Sequence, residues 1–244
     1  MFHSIEHGVS LGYRGPRRQR ISRNLPSSAL HPQAIDKEIQ KEISKKRMLG
    51  PFDQPPLPNL QCSGVGVVPK KTGAWRMIMH LSAPHGQSIN DGINKEEYTL
   101  NYSRIDDAIR LIQQAGGKGS LLAKVDIKSA FRIIPVRQED RELLGIHWKN
   151  KFYVDRCLPF GLRSAPFLFN EFAHALEWIL RNNYSISKIL HYLDDFLLVG
   201  SPESDECSQA LKATIEVCAK LGIPIAPDKL EGPANILSFL SILS

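Results

Sequence analysis

Ile189 to Val199 reads ILHYLDDFLLV, and Ser120 to Ile127 reads SLLAKVDI. The first stretch is apolar on both sides of an Asp-Asp pair, the outline of a β-hairpin with Asp194 and Asp195 at its tip. The second is short and rich in apolar residues, a buried strand with Asp126 near its end. Between them Pro166 opens a helix whose Leu168, Phe172, Leu176 and Ile179 fall on one face. Beyond the hairpin, Glu203 to Leu221 is a second amphipathic helix, with Cys207, Leu211, Ile215 and Cys218 facing inward. A last apolar strand is expected over Ile236 to Leu243. With one inserted hairpin set aside, the order from residue 120 is strand, helix, strand, strand, helix, strand. That is the ferredoxin-like βαββαβ arrangement, an antiparallel sheet with both helices on one face. The fold class is therefore α+β (mixed α/β).

Upstream, Ile35 to Met48 places Ile35, Ile39 and Ile43 four apart among charges, a short amphipathic helix. Gly50-Pro51 stops it, and PFDQPPLPN follows as a loop. CSGVGVVPKKTGAWRMIMHL reads as two strands joined by the turn Lys71-Thr72-Gly73. Ile105 to Ala115 is a helix ending at Gly116-Gly117. The inserted hairpin pairs Leu143 to Trp148 with Phe152 to Arg156 around Lys149-Asn150-Lys151. Residues 1 to 34 read as irregular.

The chain has 244 residues, 42% hydrophobic and 23% charged, an ordinary globular balance. No apolar run approaches the roughly 18 residues that mark a membrane span. The first residues lack the layout of a secretory signal. Cys62, Cys157, Cys207 and Cys218 form no CxxC pair or zinc-ligand cluster, which suits buried thiols in a reducing compartment. An intracellular location and no membrane partner are expected. Residues 1–50 hold ten Lys/Arg against four Asp/Glu, and the remainder is neutral, so this extension carries the whole excess of +6. Arg14, Arg17, Arg18, Arg20 and Arg23 cluster there among Gly, Pro and Ser. A flexible basic arm is attracted to nucleic acid, although a solvated linker has the same composition.

An Asp-Asp turn is a poor structural choice, because hairpin tips favour Asn-Gly or Asp-Gly. Adjacent carboxylates repel unless a cation or solvent relieves them. An exposed acidic turn would still account for the pair taken alone. Asp126 adds weight, since a charge in an apolar strand is costly if merely buried. In the βαββαβ order the first strand and the hairpin are central neighbours, so the three acids are expected to converge. Such a trio suits two Mg²⁺ ions, with Mn²⁺ as a substitute, in phosphoryl transfer.

VPKKTGAWRMI, VDIKSAF, LPFGLRSAP and YLDDFLLVG occur in the order in which reverse transcriptases carry their conserved blocks. From about residue 36 onward the chain resembles that family. Within it, GPFDQPPLPNLQCSGVGVVPKKTGAWRMIMHLSAPHGQSINDGIN is most similar to DIRS-type retrotransposons with a tyrosine recombinase. The resemblance implies an RNA-directed DNA polymerase with a right-hand fold. Fingers are expected over 51–101 and 134–156, and palm over 102–133 and 157–244. It implies Asp126, Asp194 and Asp195 as catalytic metal ligands, joined by the backbone carbonyl of Ile127. Lys70 or Lys71, with Arg76, would grip the incoming dNTP. Phe131 would exclude a ribose 2′-hydroxyl, though by itself it also reads as a core residue. Phe160 and Gly161 would pack against template and nucleotide, and Lys229 would protonate pyrophosphate. The partners implied are an RNA or DNA template with its primer.

The sequence departs from that pattern at His80, where many relatives have an acid. It departs again at Phe239-Leu240-Ser241, where Phe-Leu-Gly is usual. The chain stops at Ser244, so no thumb, ribonuclease H or recombinase domain is expected in it, and weak duplex binding follows. Two other readings are a non-catalytic nucleic-acid-binding remnant and an RNA-directed RNA polymerase. Phe131 and Tyr-Leu-Asp-Asp count against the latter.

Overall fold

The structure, a computed structural model, describes residues 6–70 and 73–239. In chain order it begins with β1 (Arg20–Ile21), α1 (Pro26–Leu30), α2 (Pro32–Ser44), β2 (Met48–Phe52), β3 (Gln61–Cys62), β4 (Val65–Pro69) and β5 (Trp75–Met79). It continues with α3 (Ile105–Gln114), β6 (Leu121–Asp126), β7 (Gly145–Trp148), β8 (Lys151–Asp155) and α4 (Ala165–Asn183). The last elements are β9 (Ile189–Tyr192), β10 (Asp195–Gly200), α5 (Glu206–Lys220) and β11 (Glu231–Ala234). They fall into two compact units, the described parts of Met1–Thr99 with Phe131–Leu168, and of Leu100–Ala130 with Phe169–Ser244.

In the first unit five strands run in the order β1-β3-β7-β8-β2, and β4 pairs with β5 as a separate antiparallel hairpin. Helix α2 stops at Ser44, short of the expected Met48. Lys46 turns to φ 58°, which breaks the helix and sends Met48 to pair with Asp155. Gly50, expected to end the helix, and Pro51, expected to open a loop, belong to β2. That strand lies at a sheet edge, where proline's missing N–H is tolerated. Ile35 and Ile39 are buried as expected, but the third buried position of α2 is Glu42, not Ile43.

The N-terminal residues are not a loose arm. Val9 N donates to Pro135 O and Arg137 N to Val9 O, and the Leu11 N–H donates to the Asp140 carboxylate at 2.8 Å. Further on, Ser22 N donates to Cys62 O, Leu25 N to Val65 O, and Val65 N to the Asn24 side-chain oxygen. This segment satisfies the open edges of β3 and β4, which explains how a polar, glycine-bearing stretch acquires a fixed path.

In the second unit the sheet order is β11-β6-β10-β9, all neighbours antiparallel. This is the ferredoxin-like order expected from the pattern of elements. Register divides the side chains between faces, because neighbours along a strand point opposite ways. His191 and Phe196 share one face, where the α4 side chains of Glu177 and Asn170 reach His191 and α5 brings Cys207 against Gly200. Leu122, Leu190, Leu197 and Val199 share the other face and pack with Ala108 and Ala115 at α3.

Leu176 on α4 and Cys207, Leu211 and Cys218 on α5 are buried as expected, but other positions of both helices differ. On α4 the buried stripe is Phe169, Ala173, Leu176 and Leu180, so Leu168, Phe172 and Ile179 are only partly covered. Asn170 turns inward to His191. On α5 Thr214 is buried while Ile215 is 36% exposed. The Thr214 hydroxyl donates to Ala210 O at 2.8 Å, so it needs no outside partner.

The described part of the expected closing strand, Ile236–Phe239, forms no strand. Glu231–Ala234 pairs with β6 instead, an edge strand that accommodates Pro233. Leu237 and Phe239 pack on the α3 cluster, while Ile236 is exposed; residues 240–243 lie outside the described residues. The four cysteines are buried and free. Among the described residues no helix is long and apolar enough to cross a membrane.

Candidate active site

Asp126 ends β6 and Asp195 begins β10, and the two are register partners across an antiparallel pair. Direct partners point to the same face, which here is the α3 face, away from α4 and α5. Asp194 sits in the turn between β9 and β10. The Ile127 N–H donates to the Asp194 backbone carbonyl at 2.9 Å and ties that turn to the end of β6. Leu193, before it, has φ 52°, where a hairpin of this length favours glycine. A bulky residue at positive φ is a strained choice, of the kind that gathers at functional sites.

The electrostatics follow from crowding. Burial raises the Asp194 pKa, and the Asp126 charge adds to it. Burial, then Asp194 and Asp126, push Asp195 up to about 6. The Lys229 ammonium stands 2.6 Å from the Asp126 carboxylate, and that hydrogen bond holds its pKa above the ordinary lysine value. The neighbouring Lys124 is engaged elsewhere, with Glu231 at 2.6 Å.

The expected convergence of three carboxylates on one point is not met as drawn. Among the described residues no group of three His, Cys, Asp or Glu side chains is gathered closely enough to hold a metal ion. Asp126 turns to Lys229 instead, as like charges do when an ammonium is within reach. The donor set still fits a hard divalent cation: oxygen ligands only, partly desolvated, and carrying charge that lifts the Asp195 pKa. The Ile127 carbonyl, expected as a further ligand, accepts a hydrogen bond from Ala130 N at 3.3 Å.

The residues expected to meet a nucleotide lie mostly in the first unit. The Phe131 and Phe160 ring centroids are 5.3 Å apart, and the Arg76 guanidinium lies 5.2 Å from the Phe160 ring. Gly161 has φ 86°, which is what demands glycine, since a Cβ there would meet only ordinary contact. Lys70 closes the β4–β5 turn by donating its N–H to Ala74 O, whereas Lys71 lies outside the described residues.

The arginine cluster is largely committed to the fold. Arg17 pairs with Asp140 at 2.6 Å and Glu142 at 3.0 Å, and Arg14 with Glu97 at 2.8 Å. Arg18 donates to the Gln87 side chain and Arg20 to the Gln87 carbonyl. Arg18 and Arg23 keep exposed side chains.

Sequence reasoning missed three kinds of residue around these sites. Asn90 donates to Gly161 O and accepts from Arg163 N, fixing the loop that carries Phe160. Tyr102 packs at a tilt against Tyr192 with centroids 5.0 Å apart, beside the acids' face. Arg132 is buried between Glu42 and Asp155. Only the last left a signal, a glutamate seven residues after Ile35 and three after Ile39, on the apolar face of α2.

Residues 68–242 match the family model described as reverse transcriptase (RNA-dependent DNA polymerase). The chain is 29% identical over 190 residues to the Gag-Pro-Pol polyprotein of squirrel monkey retrovirus, covering 71% of this chain and 9% of that protein. It is 25% identical over 228 residues to the retrovirus-related Pol polyprotein from transposon 412 of Drosophila melanogaster, covering 90% of this chain and 16% of that one. The chain thus spans a small fraction of these relatives' length. Its fold resembles that of the foamy viral protease-reverse transcriptase dRH in complex with ds DNA, with TM-score 0.72 and 19% identity over 96% of this chain and 37% of that one. The foamy viral protease-reverse transcriptase in complex with an RNA/DNA hybrid gives TM-score 0.72 and 18% identity, over 96% of this chain and 28% of that one.

Proposed function

The chain belongs to the reverse transcriptase (RNA-dependent DNA polymerase) family, and from that premise we propose that it is the nucleotide-adding core of a retroelement polyprotein, copying RNA or DNA template from a primer with dNTPs. The pairing of Asp126 with Asp195 across the two central strands of the second unit, with Asp194 in the adjoining turn, carries the reading. Two Mg²⁺ ions, or Mn²⁺ in their place, would be held by Asp126, Asp194, Asp195 and the Ile127 carbonyl, and would stabilise charge on the transferring phosphoryl group.

The chain's own groups then have distinct tasks. Lys70, Lys71 and Arg76 supply positive charge for the triphosphate. Phe131 bars a 2′-hydroxyl, and Phe160 with Gly161 bounds the nucleotide. Lys229 has its ammonium proton beside Asp126, a place from which it can protonate departing pyrophosphate. Arg18 and Arg23, exposed and outside the ion pairs that Arg14 and Arg17 make, would meet the nucleic acid backbone. Within the family, the stretch from Gly50 to Asn94 supports a DIRS-type origin, and an intracellular setting goes with that source.

The test is primer extension on an RNA template with dNTPs and Mg²⁺. Asp126→Asn and Asp195→Asn should each lower incorporation by about a hundredfold or more. Extension that survives both substitutions would remove the acids from the chemistry.

A further inference from the structure

Arg132 is the residue after Phe131, and only 9% of it is exposed. Its guanidinium donates through Nε and one terminal nitrogen to Glu42 at 3.1 and 2.7 Å. The other terminal nitrogen donates to Asp155 at 2.6 Å and reaches the carbonyls of Cys157 and Leu158 at 3.3 and 3.4 Å. Burial works against the charge, and the Asp155 and Glu42 carboxylates overcome it, so the guanidinium pKa lies above its ordinary value. Asp155 also accepts from Cys157 N at 3.2 Å.

One side chain thus ties together three segments of the first unit. They are helix α2 through Glu42, the end of β8 through Asp155, and the strand exit at Cys157 and Leu158. Arg132 itself belongs to the 3₁₀ turn Ala130–Ile133, which carries Phe131. The exit at Leu158 leads two residues later to Phe160. Both aromatic rings therefore hang from backbone that the same guanidinium holds, and the rings touch each other.

Stability alone is a weak reason for such a group. Three buried charges are costly to desolvate, and apolar side chains of equal volume commonly replace such a set without loss. What apolar packing cannot supply is direction. A guanidinium fork sets five donors in a plane and so fixes angles as well as distances between its partners.

We propose that Arg132, oriented by Glu42 and Asp155, is a positioning residue for sugar discrimination, holding Phe131 and Phe160 at the spacing that bars a 2′-hydroxyl. This rests on the polymerase reading above. It assigns a part in nucleotide choice to Glu42, on a helix that precedes the residues matching the family model.

The experiment is single-nucleotide incorporation by the full chain on a primed RNA template, with kcat/KM measured separately for a dNTP and the matching rNTP. Arg132→Lys keeps the charge and loses the fork; Glu42→Gln keeps the shape and loses the charge. Each should shift the dNTP:rNTP ratio toward rNTP by about tenfold. Neither should shift it further when added to Phe131→Val, because a gate already removed cannot be misplaced. If Arg132→Lys fails to fold, Glu42→Gln decides. Equal losses for both nucleotides, or an unchanged ratio, would reduce the network to scaffolding and overturn the proposal while leaving the polymerase reading intact. Wild-type chain that adds neither nucleotide would overturn both.

Discussion

Leu193 takes φ 52° in the turn that holds Asp194, and Asp195 carries a carboxyl pushed up to about 6. Both are local costs at one hairpin, and both bear on stability. A raised carboxyl pKa means that the folded chain binds the proton more tightly than the unfolded chain does. The ionised group therefore destabilises the fold above about pH 6, and the penalty fades as pH falls toward the unfolded value near 4. Asp195→Asn should accordingly stabilise the metal-free protein at pH 8 by about 1–2 kcal/mol, after discounting for solvent screening, and by little at pH 4. Urea unfolding at the two pH values measures this. The same variant should lose most of the rise in melting temperature that Mn²⁺ gives the wild type, since a ligand stabilises only what it binds. A variant no more stable than wild type at pH 8 would mean that solvent already relieves the acids.

At the scale of elements, β4 and β5 form a two-stranded sheet of the kind that is marginal in water by itself. The N-terminal segment braces it. Asn24 accepts from Val65 N at 2.9 Å, Ser27 accepts from Val67 N at 3.0 Å, and His31 stacks on Trp75 with centroids 3.8 Å apart. The hairpin that carries Lys70 and Arg76 is thus held from outside the residues that match the family model. Ser27→Ala should cost about 1 kcal/mol, since it orphans a backbone N–H at a partly buried site. Amide exchange over 65–79 should quicken in Ser27→Ala and His31→Ala while exchange in β6 and β10 stays slow. Uniform acceleration across both units would show that the brace serves global stability only.

For the whole molecule, the charge excess of +6 arises in the first fifty residues, yet most of those arginines are spent on partners within the fold. Deleting the segment would remove β1, α1, α2 and the Glu42 carboxylate, so deletion cannot isolate its charge. Substituting the exposed Arg18 and Arg23 with glutamate can. If they meet phosphates, the slope of log affinity against log salt for a primer–template should flatten by roughly 0.7–0.9 for each phosphate no longer neutralised. Fluorescence anisotropy across a salt series reads the slope. Parallel lines for variant and wild type would return both residues to solvent.

The ferredoxin-like core was legible in the sequence because its signals are local. Alternating strands, two amphipathic helices and a misfit Asp-Asp turn follow from neighbour chemistry within a dozen residues. That Asp126 would neighbour the Asp-Asp hairpin also followed, since the βαββαβ order makes β6 and β10 adjacent, whereas the register that sets Asp126 opposite Asp195 came from the structure. Other features rest on partners far along the chain. Arg17 finds Asp140, Arg132 finds Glu42, and the N-terminal stretch completes the edges of β3 and β4, all at separations that no periodicity encodes. The closing strand was misplaced for the same reason: Ile236–Leu243 has the composition of a strand, but Glu231–Ala234 holds the edge beside β6, where proline is tolerated and Lys124 meets Glu231. Local sequence singled out Asp126, Asp194 and Asp195 as the candidates for the chemistry. Long-range pairing of buried polar and backbone groups, which must be satisfied wherever a partner lies, decided what holds them in place.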